Sequence, residues 1–109
     1  MNKNDKYLIS FKKIKWENLD IGVKQKVFVQ DNQMIRLVEF TEKFIEDNWC
    51  INGHVGYVLK GEFFIDFDGD NLAFKAGDGI FILDGIENKH KAIIPKGQKV
   101  LVVLFEKVI

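Results

Sequence analysis

The sequence reads Glu42-Lys-Phe-Ile-Glu-Asp-Asn-Trp-Cys-Ile-Asn-Gly-His-Val-Gly-Tyr-Val-Leu-Lys-Gly61 in its middle part and Gly77-Asp-Gly-Ile-Phe-Ile-Leu-Asp-Gly-Ile-Glu-Asn-Lys-His-Lys-Ala92 soon after. In both stretches glycines frame short segments that are rich in apolar and β-branched residues. Such framing is typical of strands bounded by tight turns. These two stretches therefore predict an all-β chain.

Apolar residues alternate with a period of two outside these stretches as well. Turn signals separate the runs, for example Asp31-Asn32, Asp68-Gly69 and the segment Pro95-Lys-Gly97. Because such signals recur about every 8 to 12 residues, the pattern predicts a sandwich or barrel and excludes a helical bundle. The predicted strands are Val27–Val29, Met34–Phe40, Phe63–Phe67, Asn71–Lys75, Ile80–Leu83, Lys91–Ile94 and Lys99–Val108.

Composition limits the size of the fold and the class of partner. With 109 residues and 47% apolar content, the chain has material for one core, so residues 1–109 are predicted to form a single domain. Sixteen basic residues balance sixteen acidic ones, which gives no global attraction for nucleic acid. One cysteine, no signal-like apolar stretch near Met1 and no membrane-spanning run predict a cytoplasmic protein without membrane contact.

The two quoted stretches resemble the signature motifs of the cupin family, G-x5-H-x-H-x3-4-E-x6-G and G-x5-P-x-G-x2-H-x3-N. The segment Tyr57-Val-Leu-Lys-Gly61 and the glycines Gly77 and Gly85 carry the resemblance. It covers about residues 27–105 and implies a cupin-type jelly-roll β-barrel, with residues 1–26 as an amino-terminal edge segment. It also implies a homodimer, as is common among small cupins.

The resemblance places the family's metal ligands on residues of other types. Alignment from Gly61 puts His54 at the glutamate position, and Cys50 and Asn48 at the two histidine positions. In the second motif the last histidine position falls on Asn88. None of the four positions keeps the family's residue, so the resemblance supports the fold more strongly than the inherited metal site.

Strand geometry gives an independent reason to group several polar residues. In an extended strand Asn48, Cys50 and His54 would point to one face, and Asn88 would share a face with His90. If both faces look into the lumen, Cys50, His54 and His90 would suit a divalent transition metal such as Zn, Fe, Ni or Mn. Asn88 would then orient a bound water or a substrate oxygen.

Each of these three residues also has a structural interpretation. Free cysteine is among the most buried residue types and usually behaves as a small hydrophobe, so Cys50 is also consistent with inert core. His54 is consistent with a hydrogen-bonded lumen histidine that holds no metal, and His90, between two lysines, with a solvated strand face.

Two further residues complete the predicted ligand pocket. Arg36 would grip a carboxylate or phosphate if it points inward, or pair with a neighbouring acid if it points outward. Tyr57 belongs to the segment that carries the resemblance, where packing competes with contact to a ligand.

Three classes of function remain open at this point. The first is a barrel that binds a small molecule in its lumen. The second is an enzyme, either a metal-dependent oxygenase or isomerase with a Cys/His/His site, or a metal-free acid/base catalyst using His54 or His90. The third is a structural or assembly role through the barrel edge, for which Tyr7–Phe11 is predicted as an edge strand that joins a partner or covers its own barrel.

Overall fold

The structure, a computed structural model, describes residues 7–108. Within that range the regular structure is strand, interrupted by two short 3₁₀ turns at Phe11–Lys13 and Ile86–Asn88, which confirms the predicted all-β class. None of these helical turns has the length or the apolar character to cross a membrane. The strands are β1 Glu17–Asp20, β2 Val23–Gln30, β3 Gln33–Thr41, β4 His54–Lys60, β5 Glu62–Asp66, β6 Asn71–Lys75, β7 Gly79–Ile82, β8 Lys91–Ile93 and β9 Lys99–Lys107.

The strands form two antiparallel sheets that enclose the core. The larger sheet has the order β1-β2-β3-β9-β4-β7 and the smaller one the order β6-β5-β8. Along β9 every second side chain is buried, from Val100 through Val102 to Leu104. These side chains pack with Phe63 and Ile65 of β5, on the opposite sheet. Burial of apolar side chains between the two sheets holds the barrel closed.

The predicted turns have the geometry that their residues favour. Asp31 and Asn32 both have positive φ, at 50° and 63°, as the two-residue hairpin between β2 and β3 requires. Asp68 and Gly69 have positive φ in the hairpin between β5 and β6. The amide of Gln98 donates to the Pro95 carbonyl at 3.1 Å and closes the turn before β9.

The amino-terminal segment differs from the prediction. Tyr7–Phe11 is not a strand, since residues 8–10 have no regular structure and Phe11 opens a 3₁₀ turn. The Lys26 ammonium donates to the Phe11 carbonyl at 2.8 Å and lies 5.0 Å from the centre of the Trp16 ring. These contacts fix the segment against β2 without strand pairing. The strand at this edge of the sheet is β1, and β7 lies at the other edge. β2 already begins at Val23, inside the predicted edge segment 1–26.

Two glycines with similar backbone angles allow a test of this packing. Gly22, at φ +78°, precedes β2, and a Cβ there would lie 2.3 Å from the Phe44 amide nitrogen. Gly97, at φ +83°, has nothing within 4 Å of such a Cβ. Gly97→Ala should cost about 1–2 kcal/mol of unfolding free energy from its backbone angle alone. Gly22→Ala should cost about 1–3 kcal/mol more, because the backbone must move aside.

Urea denaturation of both variants and of the parent protein measures these two losses. Equal losses in the two variants would contradict the close packing of the turn against the Lys43–Phe44 backbone.

Candidate metal centre and ligand cavity

A cavity of about 330 Å³ lies between the two sheets. Most of its wall is apolar and comes from both sheets, with Val38 and Leu104 on the larger sheet and Phe63 and Ile65 on the smaller. The alternation of inward and outward side chains that builds the core therefore also supplies the residues that line the cavity. The polar residues on its wall are Asp20, Arg36, Glu46, Cys50, His54 and His90.

The single cysteine of the chain and both of its histidines meet at this cavity. One potential ligand atom from each of Cys50, His54 and His90 lies within 4.8 Å of the other two. The Cys50 Sγ is 3.9 Å from the His54 Nε2, and the two imidazole centroids are 5.3 Å apart with the rings near perpendicular. The convergence predicted from sequence is thus present in the structure.

Backbone pairing, and not a continuous strand, brings Cys50 to His90. The Cys50 amide donates to the His90 carbonyl at 2.9 Å, and the His90 amide donates to the Cys50 carbonyl at 3.0 Å. This isolated antiparallel bridge stands outside the named strands. His54 is the first residue of β4 and reaches the cluster from the larger sheet. The three side chains thus come from three separate segments of the backbone.

His90 has the environment of a preorganised ligand. Its side chain is only 3% exposed, and its Nδ1 lies 2.9 Å from the Asn88 carbonyl oxygen. An N–H at Nδ1 that donates to this carbonyl leaves the lone pair on Nε2, and the buried Nε2 has no hydrogen-bond partner. A carbonyl that fixes the ring in this way is the usual second partner of a metal-binding histidine.

Burial favours the neutral forms of Cys50 and His54. Desolvation, with a smaller contribution from His90, lowers the pKa of His54 below its ordinary value. Desolvation likewise raises the pKa of the Cys50 thiol, whose Sγ lies 3.6 Å from the Asn52 carbonyl oxygen. The cluster is therefore a thiol beside two imidazoles with uncompensated lone pairs, a donor set that suits a borderline metal ion.

Asn48, Asn88 and Tyr57 do not line the cavity. Asn48 is exposed and lies in an irregular segment before Cys50, so the strand parity that grouped the two does not apply. Asn88 contributes its backbone carbonyl to His90, not its side chain to the lumen. Tyr57 is 45% exposed and faces outward, because its neighbour Val58 takes the inward position on β4. The prediction of these three side chains in the lumen is wrong.

Arg36 combines the two interpretations that the sequence left open. Its side chain lines the cavity, yet its guanidinium is already engaged. Nε donates to the Glu106 carboxylate at 2.9 Å, and Nη1 donates to the Gln25 amide oxygen at 2.9 Å. The nitrogen of that amide in turn donates to Glu17 at 2.9 Å. Arg36 therefore forms part of the cavity wall, and the Glu106 carboxylate compensates the charge of its guanidinium.

Sequence reasoning missed three acids near the site, Asp20, Glu46 and Glu106. Asp20 is the last residue of β1 and lines the cavity. Glu106 follows the inward series of β9, so extending the alternation past Leu104 would have found it. Glu46 lines the cavity and accepts a hydrogen bond from the Ala92 amide at 2.7 Å. It lies outside the named strands, where no periodic signal identifies it.

Trp49 lies beside the cluster on the same irregular segment. The ammonium groups of Lys89 and Lys91 are 5.2 Å and 4.6 Å from the centre of its ring. The two lysines that flank His90 in sequence are thus held on an aromatic face, while His90 between them points inward.

Several solved structures, two of the following three named as cupins, superpose on most of the chain. An RmlC-like cupin from Shewanella frigidimarina gives a TM-score of 0.70 at 20% identity and covers 92% of this chain and 90% of its own. The polyketide cyclase RemF from Streptomyces resistomycificus gives 0.70 at 19% identity, with coverages of 94% and 84%. A Cupin 2 conserved barrel domain protein from Salinispora arenicola gives 0.66 at 10% identity, with coverages of 90% and 83%. No protein-family model and no curated protein matches the sequence.

The two-sheet barrel and these likenesses establish the predicted fold, a cupin-type jelly-roll barrel. At identities this low the likeness extends to the fold alone, and one barrel architecture supports many functions. What the protein does must follow from its own cavity and side chains.

The buried state of His54 predicts a pH dependence of stability in chelator-treated protein. Its folded pKa lies below the ordinary value of 6.5, so the unfolded chain binds a proton first as the pH falls. The contribution of neutral His54 to the free energy of unfolding should be fully present above about pH 6.5. It should decrease as the pH falls below that value, until the folded state is also protonated. Substitution His54→Gln should flatten this part of the curve.

Urea unfolding free energies of the parent and of His54→Gln between pH 7.5 and 5.5 measure the effect. Carboxylates that titrate in both proteins cancel in the difference. Parallel curves for the two proteins would mean that His54 is not buried as described.

Proposed function

We propose that this protein binds a small, largely apolar molecule in the barrel lumen, with the polar group of that molecule directed at Cys50, His54 and His90. The convergence of these three side chains at the wall of an otherwise apolar cavity carries the proposal. Small-molecule sites have this composition, a mostly apolar wall with a few polar groups that fix orientation, and a cavity of about 330 Å³ lies in their size range.

We further propose that the cluster holds a divalent transition metal. The buried Nε2 of His90 has no hydrogen-bond partner, and a metal ion would satisfy it. Among Zn, Fe, Ni and Mn, one thiolate with two imidazoles favours zinc, which accepts both sulfur and nitrogen ligands and leaves a fourth position open. A bound ion would supply Lewis acidity, while the Asn88 carbonyl would keep His90 oriented.

Metal binding can be tested with variants that separate the ligands from their support. His90→Gln should lose bound zinc, because it removes the lone pair that the Asn88 carbonyl orients. Asn88→Ala is the matched control: it removes only the side chain, keeps the carbonyl and should retain the metal. Elemental analysis after dialysis against zinc gives the metal content of each protein.

Cobalt titration adds a spectroscopic test of the thiol. Cobalt bound to the parent protein should show a thiolate charge-transfer absorption that is missing in Cys50→Ser. Background metal content in the parent protein would overturn the metal proposal while leaving lumen binding open.

Ligand binding in the lumen can be tested with phenylacetate, which carries one apolar ring and one carboxylate. We expect phenylacetate to raise the melting temperature of the zinc-treated parent protein in proportion to its binding. Ala92→Leu should abolish this rise, because Ala92 lines the cavity and a larger side chain fills it. Ala73→Leu is the control, since Ala73 flanks the same strand, β5, but is exposed.

The proposal would be contradicted if phenylacetate raised the melting temperatures of Ala92→Leu and Ala73→Leu equally. In that case phenylacetate binds elsewhere on the protein and the lumen is not its site. A shift in the parent without bound metal would support lumen binding and count against the metal.

A further inference from the structure

The polar groups on the cavity wall are mainly hydrogen-bond acceptors. The Nε2 of His90 carries a lone pair without a partner, on a side chain that is only 3% exposed and lines the cavity. The guanidinium on this wall, that of Arg36, already donates to Glu106 and Gln25. A ligand group that enters the cavity therefore meets acceptors that still lack a donor.

Two carboxylates on the same wall carry charge that no described cation offsets. Asp20 and Glu46 both line the cavity, and neither forms an ion pair within residues 7–108. The Asp20 carboxylate is exposed and accepts from the Ile21 amide at 2.7 Å, so solvent screens part of its charge. Because Glu106 compensates the charge of Arg36, these two carboxylates leave the wall negatively charged. The cavity thus favours a cationic group over an anionic one.

Glu46 is held beside the histidine cluster by the backbone of β8. Its Oε1 accepts from the Ala92 amide at 2.7 Å, and Ala92 lies two residues from His90 on the same cavity wall. Glu46 is half-buried, and its Oε2 has no hydrogen-bond donor among the described residues. This oxygen is not one of the fully buried atoms without a partner, so it stays accessible. A second acceptor, with a negative charge, therefore accompanies the His90 lone pair.

We propose that the metal-free lumen binds an apolar primary amine as its ammonium ion, and that Glu46 determines this specificity. The inference rests on the proposed lumen binding and specifies the polar group of the ligand. An ammonium group has three N–H donors, so it can serve both the Glu46 carboxylate and the His90 lone pair. The apolar wall takes the hydrocarbon part. A carboxylate such as that of phenylacetate has no donor and gains neither contact unless a metal ion is bound.

Benzylamine and benzyl alcohol are matched probes, because they share the ring and the methylene and differ in the ammonium group. Chelator-treated protein keeps the test independent of bound metal. Carbon-13 labelling of the alanine methyl groups gives three resonances, of which Ala92 lies on the cavity wall and Ala73 and Ala76 do not. Both probes should shift the Ala92 resonance, and its titration near neutral pH gives each dissociation constant. Shifts at Ala73 or Ala76 alone would place benzylamine outside the lumen.

The parent protein should bind benzylamine about tenfold more tightly than benzyl alcohol. Glu46→Gln should reduce this preference to about one, because the amide oxygen still accepts from Ala92 while the charge is lost. Glu42→Gln is the matched control and should keep the full preference. Glu42 likewise accepts from a backbone amide, that of Gly97 at 3.2 Å, but it is exposed and lies off the cavity wall.

Equal binding of the two probes by the parent protein would overturn the proposal, whether or not Glu46→Gln folds. So would a preference that survives in Glu46→Gln, or one that Asp20→Asn alone removes. If benzyl alcohol shifts the Ala92 resonance and benzylamine binds no more tightly, lumen binding stands and only the assignment of an amine fails. If neither probe shifts that resonance, lumen binding fails as well.

Discussion

The two backbone hydrogen bonds between Cys50 and His90 are the constraint on which the interior of this barrel depends. Residues 46–49 have no strand of their own, so no ladder of backbone hydrogen bonds fixes where the thiol points. Side chains support the segment, since the Glu46 carboxylate accepts from the Ala92 amide and the Trp49 ring lies against two lysines. Two more contacts hold the end of the same loop: the Gly85 amide donates to the Ile51 carbonyl at 3.0 Å, and the Gly53 amide to the Asp84 carboxylate at 2.6 Å. Together these contacts join the segment before β4 to the segment between β7 and β8, and β4 then begins at His54.

The fold was predictable because its signals are local. Alternation of side chains, hairpin turns with positive φ such as Asp31-Asn32, and the glycines of both motifs act within a few residues. The residues that line the cavity were harder to predict for the same reason. Cys50 and His90 do meet, but strand parity through Asn48 was not the cause, because that segment is irregular and is shaped by bonds to a distant loop. Such bonds leave no periodic pattern in the sequence.

Arg36 and the three-residue cluster bring little net charge to the lumen. Glu106 offsets the guanidinium of Arg36, and burial favours the neutral forms of Cys50 and His54. Around them the wall is mostly apolar, with the carboxylates of Asp20 and Glu46 as its other polar groups. A molecule that enters meets an apolar surface with one region of unpaired lone pairs, and that region is where either a cation or a hydrogen-bond donor gains most.

The lysines on either side of His90 couple the position of this residue to the fluorescence of a tryptophan. Both rest on the indole of Trp49, while Trp16, the other tryptophan of the chain, lies against the lysines of β2. Indole emission responds to nearby cations and to water. A displacement of His90 that moves Lys89 or Lys91 should therefore change the fluorescence of Trp49, which needs no added label.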